Sequence, residues 1–241
     1  MSSKIISITA LVLGFASLGL AGVACGSVNK SIMIGPGTET GGQSTVNGGI
    51  SVGRSAIVNG SLETVNGQIT LDDQARARDV ETVNGSIRLG EGVTADDLET
   101  VNGSIRVGAG GMIEGSVSAV NGKINSQRGT RVAGDISNVN GEIEIRGTEI
   151  GGDLTTTNGD ILLTDNSVLQ GTLTIDEPSG WNWSGRKSRK PRVIIGPGTQ
   201  ILGEVRLERE VELYISDSAS IGRVSGKMSS DDAVRFSGEH P

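Results

Sequence analysis

Residues 81–108 read ETVNGSIRLGEGVTADDLETVNGSIRVG, so the octet ETVNGSIR is written twice, eighteen residues apart. Its asparagine belongs to a longer series: Asn29, Asn47, Asn66, Asn84, Asn102, Asn121, Asn140 and Asn158, with Asp176 as a further member, at steps of 18 or 19. Three positions after each Asn stands an isoleucine: Ile32, Ile50, Ile69, Ile87, Ile105, Ile124, Ile143 and Ile161. Two positions further come Ile34, Val52, Leu71, Leu89, Val107, Ile145 and Leu163, and Ser126 takes this place in one rung. Apolar residues at alternate positions within a fixed repeat indicate short strands, not a helix. A second glycine falls mid-repeat at Gly60, Gly115, Gly134, Gly152, Gly171 and Gly203. A third turn signal follows the Ile-x-Leu strand, as in Gly35-Pro36-Gly37, Gly108-Ala109-Gly110 and Gly196-Pro197-Gly198. Pro then Gly suits the central positions of a type II turn.

Three strands and three turns per repeat predict an all-β fold, a three-sided parallel β-solenoid with coils of 18–19 residues. One coil cannot bury its inner face alone, so coils stack and identical residues lie above one another, about 4.8 Å apart. The Asn series is read as a structural ladder. Asn tolerates the left-handed conformation at a corner, and stacked amides can donate and accept along the stack. Many of the 38 glycines are expected at corners that need a positive φ. Asn-Gly is also a hairpin signal, and many hairpins could close a membrane barrel. Such barrels carry aromatic girdles on strands of about ten residues. Aromatics are only 2% of this chain, and glycine interrupts every strand of that length. An antiparallel prism or meander is the remaining alternative.

Residues 1–24 carry one charge, Lys4, ahead of an apolar run that ends in small residues before Cys25. This is the layout of an export signal, and its length also allows an uncleaved anchor. Gly22-Val23-Ala24-Cys25 resembles a bacterial lipobox, in which the cysteine is acylated and becomes the new N-terminus. Gly22 stands where Leu is usual; ordinary cleavage would leave a free thiol. Gly26 after the cysteine resembles lipoproteins sent to the outer membrane. Cys25 is the sole cysteine, so an intramolecular disulfide is excluded. Removing Lys4 with the leader lowers the formal charge from −7 to −8. Such an acidic product is not expected to bind nucleic acid.

The repeat stops over 177–192, EPSGWNWSGRKSRKPR, and resumes at Val193. This segment holds both tryptophans, Trp181 and Trp183, followed by Arg186, Lys187, Arg189, Lys190 and Arg192. Insertions in solenoids map to loops that often bind. Basic residues beside interfacial Trp suit anionic lipid, lipopolysaccharide or a glycan; the plainer reading is a solvated loop whose Trp cover a coil edge. The resulting organisation is a leader at 1–24, coils over 25–176, the insertion at 177–192, final coils over 193–226 and a polar, frayed tail at 227–241. Val234 and Phe236 could fold over the last rung.

VIIGPGTQILGEV and TEIGGDLTTTNGDILL resemble rungs of the bactofilins, polymer-forming cytoskeletal proteins with a triangular β-helix, and of bacterial β-solenoid adhesin repeat proteins. The resemblance covers roughly 27–226. It implies the solenoid fold and, more distantly, self-association. Bactofilins are typically cytoplasmic, and the leader departs from that pattern. IGPGTQILG also resembles the rungs of left-handed β-helix acyltransferases, which use a histidine base; the single histidine here is His240, next to the C-terminus. Pectin-cleaving β-helices need clustered Asp with a basic partner. The nearest acidic pairs, Asp72-Asp73 and Asp96-Asp97, are not spaced by the coil period. Adjacent acids could in principle hold calcium at such a corner, but they read as a solvated corner, and no metal and no cofactor is expected. The expectation is a non-enzymatic, lipid-anchored outer-membrane protein, periplasmic or surface-facing, acting as scaffold or adhesin. A bactofilin-like polymer is the first alternative and a carbohydrate-active β-helix enzyme the second.

Overall fold

The structure, a computed structural model, describes residues 26–178 and 189–241. It is a three-sided parallel β-solenoid. Two faces are sheets of eleven strands and the third is a sheet of seven. Among the described residues every strand pair is parallel and joins one coil to the next, as in Leu98–Asn102 between Val80–Asn84 and Val117–Asn121. The first face carries such ETVN strands. The second carries Ile-x-Leu strands such as Ile105–Val107. The third carries two-residue strands such as Met112–Ile113. Near the start, Glu39–Asn47 and Ile57–Asn66 run through the corner between the third and first faces without a break.

Alternation decides what lies inside. In Leu98–Asn102, Leu98 and Thr100 are buried while Glu99 stays half-exposed and Asn102 exposed. Leu98 stacks on Val80 and Val117, and Ile105 on Ile87 and Ile124, giving apolar columns with essentially no exposure. The columns merge into one continuous core. Burial of each large side chain stabilises by about 1.5–3 kcal/mol, and without a disulfide these columns supply the main drive to fold. The insertion interrupts the chain but not the stack: Ile161–Thr164 pairs directly with Arg192–Ile195.

The Asn ladder is continuous from Asn29 to Asn158. Each Nδ2 donates to the Oδ1 of the Asn one coil earlier, at 2.8–3.0 Å. None of these asparagines has a positive φ, so amide stacking and not left-handed backbone accounts for them. Asp176 does not extend the ladder. The register sets Ile175 beside Thr156, which leaves Asp176 one place short of Asn158. Arg209 instead donates to the Asn158 Oδ1 at 3.0 Å and closes that end. Asn102→Leu removes the bonds to Asn84 and Asn121 from an exposed site. It is expected to lower stability by about 1–2 kcal/mol, measured by urea denaturation.

The glycines divide into two groups with different causes. At one corner the backbone is left-handed: Gly37, Gly92, Gly110, Gly129, Gly147 and Gly198 have φ between 53° and 76°. The Thr38 N–H donates to the Gly35 carbonyl around Gly37, the closure that a type II turn requires. Ser55, Gln74, Asp165 and Asn166 also take positive φ. The glycines after the ladder Asn answer to a different constraint, although Gly122 and Gly141 also have φ of 154° and 134°. A Cβ at Gly67, Gly85, Gly103 or Gly159 would overlap the carbonyl oxygen of the coil before it. The mid-repeat Gly134, Gly152, Gly171 and Gly203 are constrained in the same way. Close approach of backbones, and not a positive φ, is what most corners demand.

A buried hydroxyl column accompanies the ladder. Thr45, Thr64, Thr82 and Thr100 each donate to a carbonyl of the coil before, at 2.9–3.1 Å. Asn138 takes this role one coil after Ala119, donating to Gly122 at 2.7 Å. Ser126, the polar departure from the Ile-x-Leu row, is buried and bonds Thr148 at 2.9 Å.

The tail is ordered, contrary to the frayed end expected. Val234–Phe236 adds a parallel strand beside Glu212–Ser216. Phe236 is buried, and Met228 and Ala233 pack against the core. Val234 itself points out and is 55% exposed. Three apolar residues packed on the last coil suffice to order a polar segment, because the open core end offers them a dry surface.

Candidate functional site

On this fold the functional surface is built by stacking. A residue at the outward position of one strand is repeated by its counterparts, so the exterior is ruled into columns. The first face carries Glu63, Glu81 and Glu99 on three adjacent strands, followed by Ser118, Ser137 and Thr155. Asp79 and Asp97 precede Val80 and Leu98 at the strand starts; Asp79 accepts from the Ser61 hydroxyl and Asp97 from the Ser116 N–H. Among the described residues, none of the three glutamates is paired with a basic side chain.

Partial burial, then the neighbouring Glu99, Glu63, Asp79 and Asp97, push Glu81 from 4.5 up to about 7. Burial and then Asp79 raise Glu63; burial and then Asp97 and Asp79 raise Glu99. A carboxyl with a raised folded-state pKa binds more protons in the folded than in the unfolded chain. Its contribution is therefore fully present below about 4.5 and is lost as the pH rises through about 7. Glu81→Gln is expected to leave the melting temperature unchanged at acid pH and to raise it above pH 7. Solvent screens this half-open site, so the gain is about 1 kcal/mol. Parallel melting curves that stay superposed at every pH would count against the charged column.

The second face of the same coils is basic. Arg88 and Arg106 sit on adjacent strands in direct register. Arg88 donates to the Gln68 amide at 2.6 Å, and neither arginine meets a carboxylate among the described residues. Further along, Glu144 is buried between Lys123 and Arg146. Burial raises its pKa, but the hydrogen bonds from Lys123 and Arg146 outweigh burial and hold it below the usual carboxylate range. Two open depressions, of about 450 and 440 Å³, lie along this side. The first is lined by Arg54, Asp73 and Glu91, the second by Arg128, Glu144 and Arg146.

The residues singled out in the sequence fall as follows. Cys25, Trp181, Trp183, Arg186 and Lys187 lie outside the described residues. Arg189, Lys190 and Arg192 lie at the returning end of the insertion, each beside a carboxylate. Arg189 meets Asp160 at 2.6 Å, Lys190 meets Glu210 at 2.8 Å and Arg192 meets Glu212 at 3.4 Å. Arg192 also stands 6.0 Å from the Tyr214 ring centroid. These basic residues hold residues 189–192 against the second face through exposed pairs, which solvent screens. Asp73 bonds Arg54 at 2.8 Å and accepts the Glu91 N–H at 3.0 Å. Among the described residues no group of three or more His, Cys, Asp or Glu could hold a metal ion.

The glutamate and arginine columns were not picked out from sequence, although the signal was present. Two copies of ETVNGSIR at the coil period must stack Glu81 under Glu99 and Arg88 under Arg106. The architecture makes this chain a parallel β-solenoid, a class whose outer faces are long and flat. No family model matches the chain, and no curated protein or solved structure matches it.

Proposed function

We propose that the chain is an exported, non-enzymatic envelope protein, a structural scaffold or surface adhesin, acylated at Cys25 and held at the outer membrane. The observation that carries this reading is the organisation of its exterior. In-register columns run over successive coils and form extended surfaces suited to another macromolecule, while the acidic side chains nearest to a catalytic pairing, Asp73 and Asp97, are engaged by Arg54 and backbone N–H groups. The Trp181–Trp183 segment with Arg186 and Lys187 would add contact with anionic lipid, lipopolysaccharide or a glycan. Each basic residue near an anionic surface contributes about 1 kcal/mol.

Two measurements test this. Intact mass of the protein extracted from membranes should carry the increment of an acylated Cys25, and Cys25→Ser should release the chain to the soluble fraction. An unmodified Cys25 in the mature protein would overturn the anchor. Binding to anionic vesicles should weaken as salt rises and fall when Arg186, Lys187, Arg189 and Lys190 become Ser. Equal binding by that variant would reduce the insertion to a solvated loop.

A bactofilin-like end-to-end polymer is the second reading. It rests on the resemblance of VIIGPGTQILGEV to bactofilin rungs, and it requires the C-terminal end, which Phe236, Met228 and Ala233 close, to open onto the first coil of the next copy. Filaments in electron micrographs of the purified protein would support it, and their absence at high concentration would oppose it.

A further inference from the structure

We infer that two copies of this chain associate side by side, the glutamate column of one first face docking on the arginine column of a neighbour's second face. Four observations carry this. Glu63, Glu81 and Glu99 occupy three consecutive strands in register, and Arg88 and Arg106 occupy two. Both columns repeat at the same strand spacing, about 4.8 Å. Both lie on the same coils: Glu81 and Arg88 belong to one, Glu99 and Arg106 to the next. Neither column is neutralised within the chain among the described residues.

Like charges stacked one strand apart repel, and like charges directly aligned across a sheet destabilise it. A partner with the opposite charge at the same repeat removes that repulsion at every rung. With axes parallel and no axial shift, Arg88 of one copy faces Glu81 of the next and Arg106 faces Glu99. Arg is suited to the role, because its planar fork meets a carboxylate through two hydrogen bonds. Neither column continues its own sign of charge beyond this stretch, and Arg206, further along, reverses the sign on the first face. Directly after the stretch the first-face column turns to Ser118, Ser137 and Thr155, and the second-face column to Asn125, Glu144 and Leu162. The match therefore sets an axial register as well as a face. Because different faces meet, the contact is heterologous and can continue from copy to copy, as a ribbon or a closed ring. The inference is independent of the anchor and of the insertion, and it concerns flanks of the solenoid, not its ends.

The test is sedimentation velocity on the full chain in nonionic detergent. At about 0.01 M salt the screening length is about 30 Å, and at about 1 M it is about 3 Å. The parent should associate at the lower salt and run as monomer at the higher. R88E/R106E and E81R/E99R should each be monomeric at both. Mixed, they should associate again, since the acidic flanks of R88E/R106E meet flanks of E81R/E99R that are basic except at Glu63. R76E/R78E makes the same charge change at exposed Arg76, in register with Thr94 of the third face, and at exposed Arg78 on the corner after it, and should associate like the parent; circular dichroism checks that each variant keeps the sheet. A parent that is monomeric at low salt, a mixture that does not associate, or an R76E/R78E variant that loses association equally, would each overturn the inference.

Discussion

Gly103→Ala is expected to destabilise the solenoid by at least about 3 kcal/mol, more than surface substitutions cost. The added methyl would overlap the Gly85 carbonyl oxygen and crowd the Gly85 carbonyl carbon. These are backbone atoms, so no rotamer change relieves the overlap; the coils must part, and parting them strains the Asn102 bonds to Asn84 and Asn121 on the adjoining corner. Gly110→Ala is the control. Gly110 has a φ of 66° with nothing within 4 Å of an added Cβ. Its cost is therefore only the backbone term, about 1 kcal/mol. Urea denaturation of both variants should separate them clearly. Equal losses would mean that coil spacing relaxes freely at the Asn corner.

Leu98→Ala should cost about 2–5 kcal/mol. Leu98 is wholly buried, between Val80 and Val117 in its column. Parallel strands fix the height of each coil, so neighbouring coils cannot slide inward to fill the hole. The loss should therefore sit toward the upper part of that range. Because each coil contacts mainly its neighbours, stability in a solenoid is nearly a sum of local terms and interfaces. Amide exchange should accordingly accelerate first in the strands around Leu98. A uniform acceleration along the whole chain would show instead that the solenoid unfolds as one unit.

How much of this was legible from the chain follows from what a repeat can encode. The spacing of Asn102 from Asn84 and the alternation of Ile105 with Val107 exclude a helix and point to stacked strands, and the glycines that interrupt each repeat favour three short parallel sides over one long hairpin. The amide ladder follows from the same spacing. The ladder's end was different. Asp176 keeps the interval of 18 from Asn158, yet its register is shifted by one and Arg209, distant in sequence, takes the bond. Interval alone cannot register a one-residue offset within a coil. The tail likewise looked polar, and only the exposed end of the core explains why Phe236 orders it.

The sequence by itself determined the architecture, the inward columns and the stacking of like residues, because periodicity is a local property that survives without coordinates. The tertiary structure decided why each glycine is there, which charges remain unpaired and where the insertion is pinned. Gly103 and Gly110 are the same residue beside similar neighbours; a carbonyl of the previous coil crowds one, and a left-handed backbone explains the other. Arg106 and Arg192 are both exposed arginines on the second face, but only Arg192 has a carboxylate within reach. Such distinctions depend on distances of a few ångströms between residues one or more coils apart, and those distances exist only once the coils have closed.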